Sequence, residues 1–155
     1  MDQPHNLEAE EALLACCLLD NASYDSISTI VNADDFYSNS NKIIFKAISK
    51  LCSLGEEFSE LELDELLKRE GTDREAGGLS TIMHIQRQAS SSMQITSHAK
   101  IIKEKSKLRQ IIRTSRIAIE SATENQDPDV IIADIERAVT ATLDNGSAND
   151  PSIRS

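Results

Sequence analysis

Apolar residues recur at intervals of three and four along almost the whole chain, and no segment shows the strict alternation of a half-buried strand. Leu7, Leu14 and Leu18 form a stripe, flanked by Leu13 and Cys17, that predicts a first helix over about 7–19. Asn6 is placed to cap it, and Glu8, Glu10 and Glu11 complement the positive end of its dipole. Asn21 and Ser23 interrupt the pattern, and Tyr24, Ile27 and Ile30 then predict a short second helix. Asn32-Ala-Asp-Asp-Phe-Tyr37 reads as a turn that tucks two aromatic rings under its neighbours. Ile44, Ile48 and Leu51, with Phe45 and Leu54, mark a third helix over about 40–54, which Gly55 ends. Ser59-Glu60-Leu61-Glu62 is a capping box for a fourth helix through Leu63, Leu66 and Leu67, followed by Gly71. After Gly77-Gly78, a fifth helix turns Leu79, Ile82 and Ile85 inward, with Met83 beside them.

The C-terminal third has a different character. From Ser97 to Thr123 there is neither Gly nor Pro, and Ile101, Leu108, Ile112, Ile119 and Ala122 make a heptad-like stripe broken at Lys105 and Ser115. Such a helix is roughly 40 Å long. Asp127-Pro128-Asp129 supplies a cap, a proline for the first helical position and an acid for the dipole. A last helix follows with Ile131, Ile132, Ile135, Ala138, Val139 and Leu143, and Asn145-Gly146 is read as its stop. The expected fold is therefore all-α: a compact head of about five helices over 1–92, a long antiparallel helical hairpin over 93–144 and a polar tail over 145–155. Within the hairpin, Ile135 and Val139 are expected to meet Ile112 and Leu108.

Composition narrows the function. With no Trp and only 3% aromatic residues, the core must come from Leu, Ile, Val, Ala and a few Phe. The net charge of −10 disfavours phosphate backbones and anionic membranes as partners, so no sequence-specific DNA binding is expected. No apolar run approaches the roughly 20 residues that span a bilayer, and the acidic N-terminus lacks the features of a signal peptide. A cytoplasmic protein is expected. Cys16, Cys17 and Cys52 include no C-x-x-C pair and read as small buried thiols. None of the five glycines precedes a Lys, so no phosphate-cradling P-loop exists, and neither tight ATP binding nor ATP hydrolysis is expected of this chain. His5, His84 and His98 lack metal-ligand spacing and no Glu-x-x-His occurs. No catalytic residue, cofactor or metal is expected.

One segment departs from the acidic average. Lys100, Lys103, Lys105, Lys107, Arg109, Arg113 and Arg116 face only Glu104 and Glu120 between Ser97 and Thr123, a local charge of +5 that leaves −15 on the rest. Three readings stand open: a solvated face paired with Asp129, Asp134 and Glu136 of the second arm, a docking surface for an acidic partner, or a nucleic-acid surface, the last disfavoured because no stacking aromatics accompany the bases.

Six short motifs then occur in order: Pro4-x-Asn6-x-Glu8-Ala9-Glu10; Leu14…Leu18-Leu19-Asp20; Asp34-Asp35-Phe36-Tyr37; Ile44-Phe45-x-Ala47-Ile48; Gly71…Gly77-Gly78-Leu79; and Ala99-x-Ile101-Ile102-x-Glu104-Lys105-x-x-x-Arg109. Together they resemble the N-terminal domain of DnaB-type replicative DNA helicases over about residues 4–143. The sequence departs from that family at Asn41, where a His is usual, and at Ser59, Gln94 and His98; Ala15 and Cys16 replace small glycines. The resemblance implies a non-catalytic collar that pairs hairpins between subunits and receives the helicase-binding domain of primase. In the family it precedes a linker and a RecA-like ATPase domain. The expected partners are a second copy of the chain, primase and full-length helicase. The competing reading is a stand-alone adaptor or decoy that binds helicase or primase and regulates initiation. Lys105, Arg109, Ile111, Arg113, Arg116, Ala118 and Ile119 are the candidate interface.

Overall fold

The computed structural model describes residues 2–147, with side-chain environments through Leu143. The described residues form α1 (Leu7–Leu19), 3-10 turns at Asn21–Ser26 and Ala33–Asp35, α2 (Asn39–Ser53), α3 (Glu60–Glu70), α4 (Gly78–Gln86), α5 (Ile95–Thr123) and α6 (Pro128–Ser147), with no strand among them. The all-α expectation holds.

Local chemistry explains most of these boundaries. Asn6 accepts the Ala9 N–H at 2.9 Å and starts α1. Ser59 and Glu62 close a reciprocal capping box at the head of α3, with the Glu62 carboxylate accepting the Ser59 N–H at 2.9 Å. At its other end Gly71, at φ +73°, closes a Schellman motif: its own N–H reaches Lys68 O at 3.1 Å and the next, of Thr72, reaches Leu67 O at 2.9 Å. Ser59→Ala is expected to cost about 1 kcal/mol, a Tm lower by about 3 °C in calorimetry. An unchanged Tm would mean that buried Phe58, held by its N–H to Asn21 Oδ1 at 2.8 Å, sets the start of α3 unaided.

The second helix expected around Tyr24 is instead a 3-10 turn over Asn21–Ser26, followed by turns through Ile30. Short polar side chains compete for backbone carbonyls there: Asn21 Nδ2 donates to Cys17 O at 2.9 Å, and the Ser23 hydroxyl donates to Asp20 O at 2.7 Å. Asn145 and Gly146 do not stop the last helix, which runs to Ser147; an interior glycine weakens a helix by only about 1 kcal/mol. Residues 148–155, the rest of the expected polar tail, lie outside the described residues.

α1 is the axis of the head. The single stripe read from its sequence is incomplete, because Leu13, Leu14, Ala15, Cys16 and Cys17 are all buried while Leu7 is exposed. The helix packs on α2, α4 and α5, so almost every side of it is covered, and the small residues at 15–17 let those neighbours approach. Phe36 and Phe45 pack at 4.8 Å between centroids, with Tyr24 at 5.7 Å from Phe45. Of the two aromatics in the 32–37 turn only Phe36 is inserted; Tyr37 lies outside, stacked on His5 at 4.2 Å. Ile82 and Ile85 of α4 are buried, but Met83 points to solvent. Burial raises the Cys16 and Cys17 thiols above their ordinary range and pushes Cys52 up to about 11; all three cysteines are free thiols.

The core does not end where α5 begins. Ile95, Ala99, Ile102, Lys103 and Ser106 are buried against the head, and beyond Ser106 no described residue of α5 or α6 is buried. α5 is thus anchored by its first three turns and projects with the rest, paired with α6. The turn between them uses Asn125 at φ +59°, a left-handed position that asparagine tolerates. Gln126 N–H donates to Ser121 O at 3.1 Å, and Asp127 Oδ1 accepts the Asp129 N–H at 3.0 Å to start α6.

Candidate partner interface

The hairpin leaves the head through a polar joint. Asp35, in the second 3-10 turn, is 2% exposed and gathers donors from three places. Its carboxylate accepts Lys103 Nζ at 3.2 Å, the Ser106 hydroxyl at 2.7 Å and its own turn's Asn32 N–H at 2.9 Å. Arg109, one turn further along α5, donates to Asp35 O at 2.6 Å and to Pro4 O at 2.7 Å, with its guanidinium 5.5 Å over the Tyr37 ring. A second buried acid, Glu10 on α1, accepts the Tyr37 N–H at 2.8 Å, the Ser38 N–H at 3.3 Å and Asn41 Nδ2 at 3.1 Å. Asn41 therefore fills its position as a donor to a buried carboxylate. Glu10 and Asp35 together fasten the start of α2 to α1 and the base of the hairpin to the head. Sequence reading passed over this joint, although both acids sit in motifs it singled out.

Desolvation lowers the Arg109 pKa. Glu10, Asp35 and Tyr37 oppose that shift, and the like charge of Arg113 adds to it. Arg109 is thus a clamp on the joint that also lies next to a second guanidinium.

Beyond the joint, the inner and outer faces of α5 are the reverse of those expected. Gln110, Thr114, Ala118 and Ser121 are half-buried toward α6, which answers with half-buried Ile131, Ile135, Ala138 and Thr142, while Ile117 lines the groove between the two arms and is 55% exposed. The stripe of Leu108, Ile112 and Ile119 is not the closed seam expected of it: Leu108, Ile119 and Val139 are exposed, and only Ile112 and Ile135 of the expected meeting are half-buried. The reason is the line of α5 residues that the head selects. Ile95, Ala99, Lys103 and Ser106 are continued by Gln110 and Ile117, and α6 folds back along that continuation. The second arm does not neutralise the basic segment either. Asp134 pairs with Arg137 on α6 itself at 2.9 Å, and among the described residues Lys100, Lys105, Lys107, Arg113 and Arg116 have no ion pair.

The hairpin consequently has two unlike faces. At about 100° per residue, Ile111, Ala118 and Ala122 share one side of α5, and antiparallel pairing brings Ile132, Val139 and Leu143 of α6 to the same side. Ile111 is 56% exposed, Ile132 54% and Leu143 62%, with Ile119 at 68% along the outer edge. The opposite side looks back toward the head and carries Arg109 and Arg113. Of the candidate interface residues, Ile111 and half-buried Ala118 lie on the apolar face, Ile119 at its edge, Lys105 and Arg116 on the outer flank of α5, and Arg109 and Arg113 on the opposite side.

Comparison with known proteins gives one consistent result. Residues 2–104 match the family model described as the DnaB-like helicase N terminal domain. The chain is 31% identical over 140 residues to the replicative DNA helicase DnaB of Pasteurella multocida and 33% identical over 140 residues to that of Haemophilus influenzae, in each case 89% of this chain and 30% of the relative. It is 30% identical over 137 residues to the replicative DNA helicase DnaC of Bacillus subtilis. The chain thus spans about a third of the length of these relatives. The crystal structure of the N-terminal domain of the Mycobacterium tuberculosis DnaB helicase shares the fold, with a TM-score of 0.85 at 19% identity over 91% of this chain and 99% of that one.

Proposed function

This chain belongs to the DnaB-like helicase N-terminal domain family, and we propose on that premise that it acts in DNA replication as a non-catalytic collar module, pairing with further copies through its hairpin and receiving the helicase-binding domain of primase in the cytoplasm. The observation that carries this reading is the apolar hairpin face. Ile111, Ile132, Val139 and Leu143 are about half or more exposed on one side of a projecting arm, with Ile119 at its edge. Monomeric soluble proteins rarely leave a contiguous apolar patch of more than a few hundred Å² in water, and a second copy offers the same face in the two-fold arrangement most oligomers adopt. The family match and the likeness to replicative DNA helicases support the replicative setting. The absence of a P-loop from this sequence supports a binding role in place of an ATPase.

The test is mass by light scattering. The wild-type chain is expected to be a dimer at concentrations of about 10–100 µM, and Ile111→Asp a folded monomer, since a charge at the centre of an apolar contact weakens it by about 2–3 kcal/mol or more. Ile119→Asp, at the edge, is expected to weaken pairing less. A wild type that stays monomeric, or an Ile111→Asp protein that unfolds, removes the pairing claim. Addition of a primase C-terminal domain is expected to raise the mass further; no shift at about 100 µM would remove the docking claim.

A further inference from the structure

The face of the hairpin opposite the apolar one bounds a cavity of about 540 Å³, in the crook where α5 and α6 meet the 3-10 turn at Ala33–Asp35 and the first turns of α2. Its wall carries three cationic side chains, Lys42 from α2 and Arg109 and Arg113 from α5, against one acid, Asp34. Among the described residues neither Lys42 nor Arg113 has an ion pair or a side-chain hydrogen bond, and Asp34 pairs with none of the three. Arg109 spends two N–H groups on Pro4 O and Asp35 O, which fixes the plane of its guanidinium and leaves its remaining N–H groups unspent. The rest of the wall is polar or apolar and uncharged: Ser106, Gln110 and Thr114, Thr142 with its hydroxyl donated to Ala138 O, half-exposed Ile117, and the small side chains of Ala138 and Ala141.

We propose that this crook binds a diphosphate-class anion, held by Lys42, Arg109 and Arg113. The excess of two positive charges on the wall, in a chain of net charge −10, matches a group carrying two or three negative charges better than a single carboxylate. Paired guanidiniums suit phosphate oxygens because each presents a planar fork of donors. The volume is within the range of small-molecule sites. A free diphosphate and the phosphates of a nucleotide share this chemistry. This site lies across the hairpin from the proposed pairing face and does not depend on that reading.

Calorimetric titration of the whole chain with sodium pyrophosphate, and separately with ADP, tests it at about physiological salt. Pyrophosphate is expected to bind with Kd on the order of 0.1–1 mM and to raise Tm by about 3 °C at about tenfold excess over Kd. Equal affinity for ADP identifies the diphosphate group as the determinant, and tighter ADP binding a nucleotide; both support the proposal. Arg113→Ser and Lys42→Ser are each expected to weaken binding about tenfold or more, while Arg116→Ser, which removes the same charge outside the cavity, changes it less than about twofold. No binding at about 10 mM, equal weakening by all three variants, or tighter binding of a glutamate-rich peptide than of pyrophosphate would overturn the assignment.

Discussion

Asp35→Ala is expected to destabilise the protein by about 3–5 kcal/mol, a fall in Tm on the order of 10 °C. Asp35 and Lys103 are almost fully withdrawn from water, with side chains 3% and 8% exposed. Removing the carboxylate leaves a buried ammonium with no counter-charge, and also strands the Ser106 hydroxyl and the Asn32 N–H. Desolvation of an unpaired ion dominates over the few tenths lost in packing, because each buried charge carries a penalty of several kcal/mol. The double variant Asp35→Asn with Lys103→Met removes both charges and is expected to recover more than half of the loss. Chemical denaturation checks both; a single-variant loss below about 1 kcal/mol would show that water reaches Lys103 and that the joint is not sealed. The same Asp35→Ala variant has a functional reading: with Lys103 and Ser106 released from the carboxylate, the base of the hairpin loosens, and self-association is expected to weaken although no pairing residue has changed.

Glu10→Ala is the second large effect, at about 2–3 kcal/mol. The carboxylate is 1% exposed and accepts three donors, from Tyr37, Ser38 and Asn41. Each donor left without a partner in a buried place costs about 1–3 kcal/mol, and those near the surface regain part of it from water. The Asn41 amide is the least recoverable, since that residue is 5% exposed. A double-mutant cycle with Asn41→Ala is expected to give a coupling energy of about 1 kcal/mol. Strict additivity would mean that Glu10 acts only through the backbone N–H groups at the start of α2.

Much of this architecture is legible in the chain itself. Capping chemistry acts within one turn, so Asn6, Ser59, Gly71 and the Asp127-Pro128 pair mark helix ends that the fold respects. The family that the motifs suggest is the one whose model matches residues 2–104. Local rules fail where two local effects compete. The polar side chains around Asn21 and Ser23 turn a short apolar repeat into a 3-10 turn, and Gly146 is too weak a signal to end a helix.

The sequence by itself determined that the chain is helical, where most of its helices begin and end, that its last third is a long hairpin, and which family it resembles. These are properties of short windows, fixed by side-chain volume, by hydrogen bonds within a turn and by the 3.6-residue period. Only the tertiary structure decided which side of α5 is inside. That helix carries apolar residues on more than one side, so its period alone cannot choose between them; the choice came from the head, whose grip on Ile95, Ala99 and Ile102 set the line along which α6 returned. That choice left Leu108, Ile111 and Ile119 exposed, turned Arg109 into a clamp, and brought Lys42, from a helix distant in sequence, to the same cavity as Arg113. Nothing in a local window reports the sealing of Asp35 against Lys103, because burial of a charge depends on what closes over it, and here that is a helix from the other end of the chain.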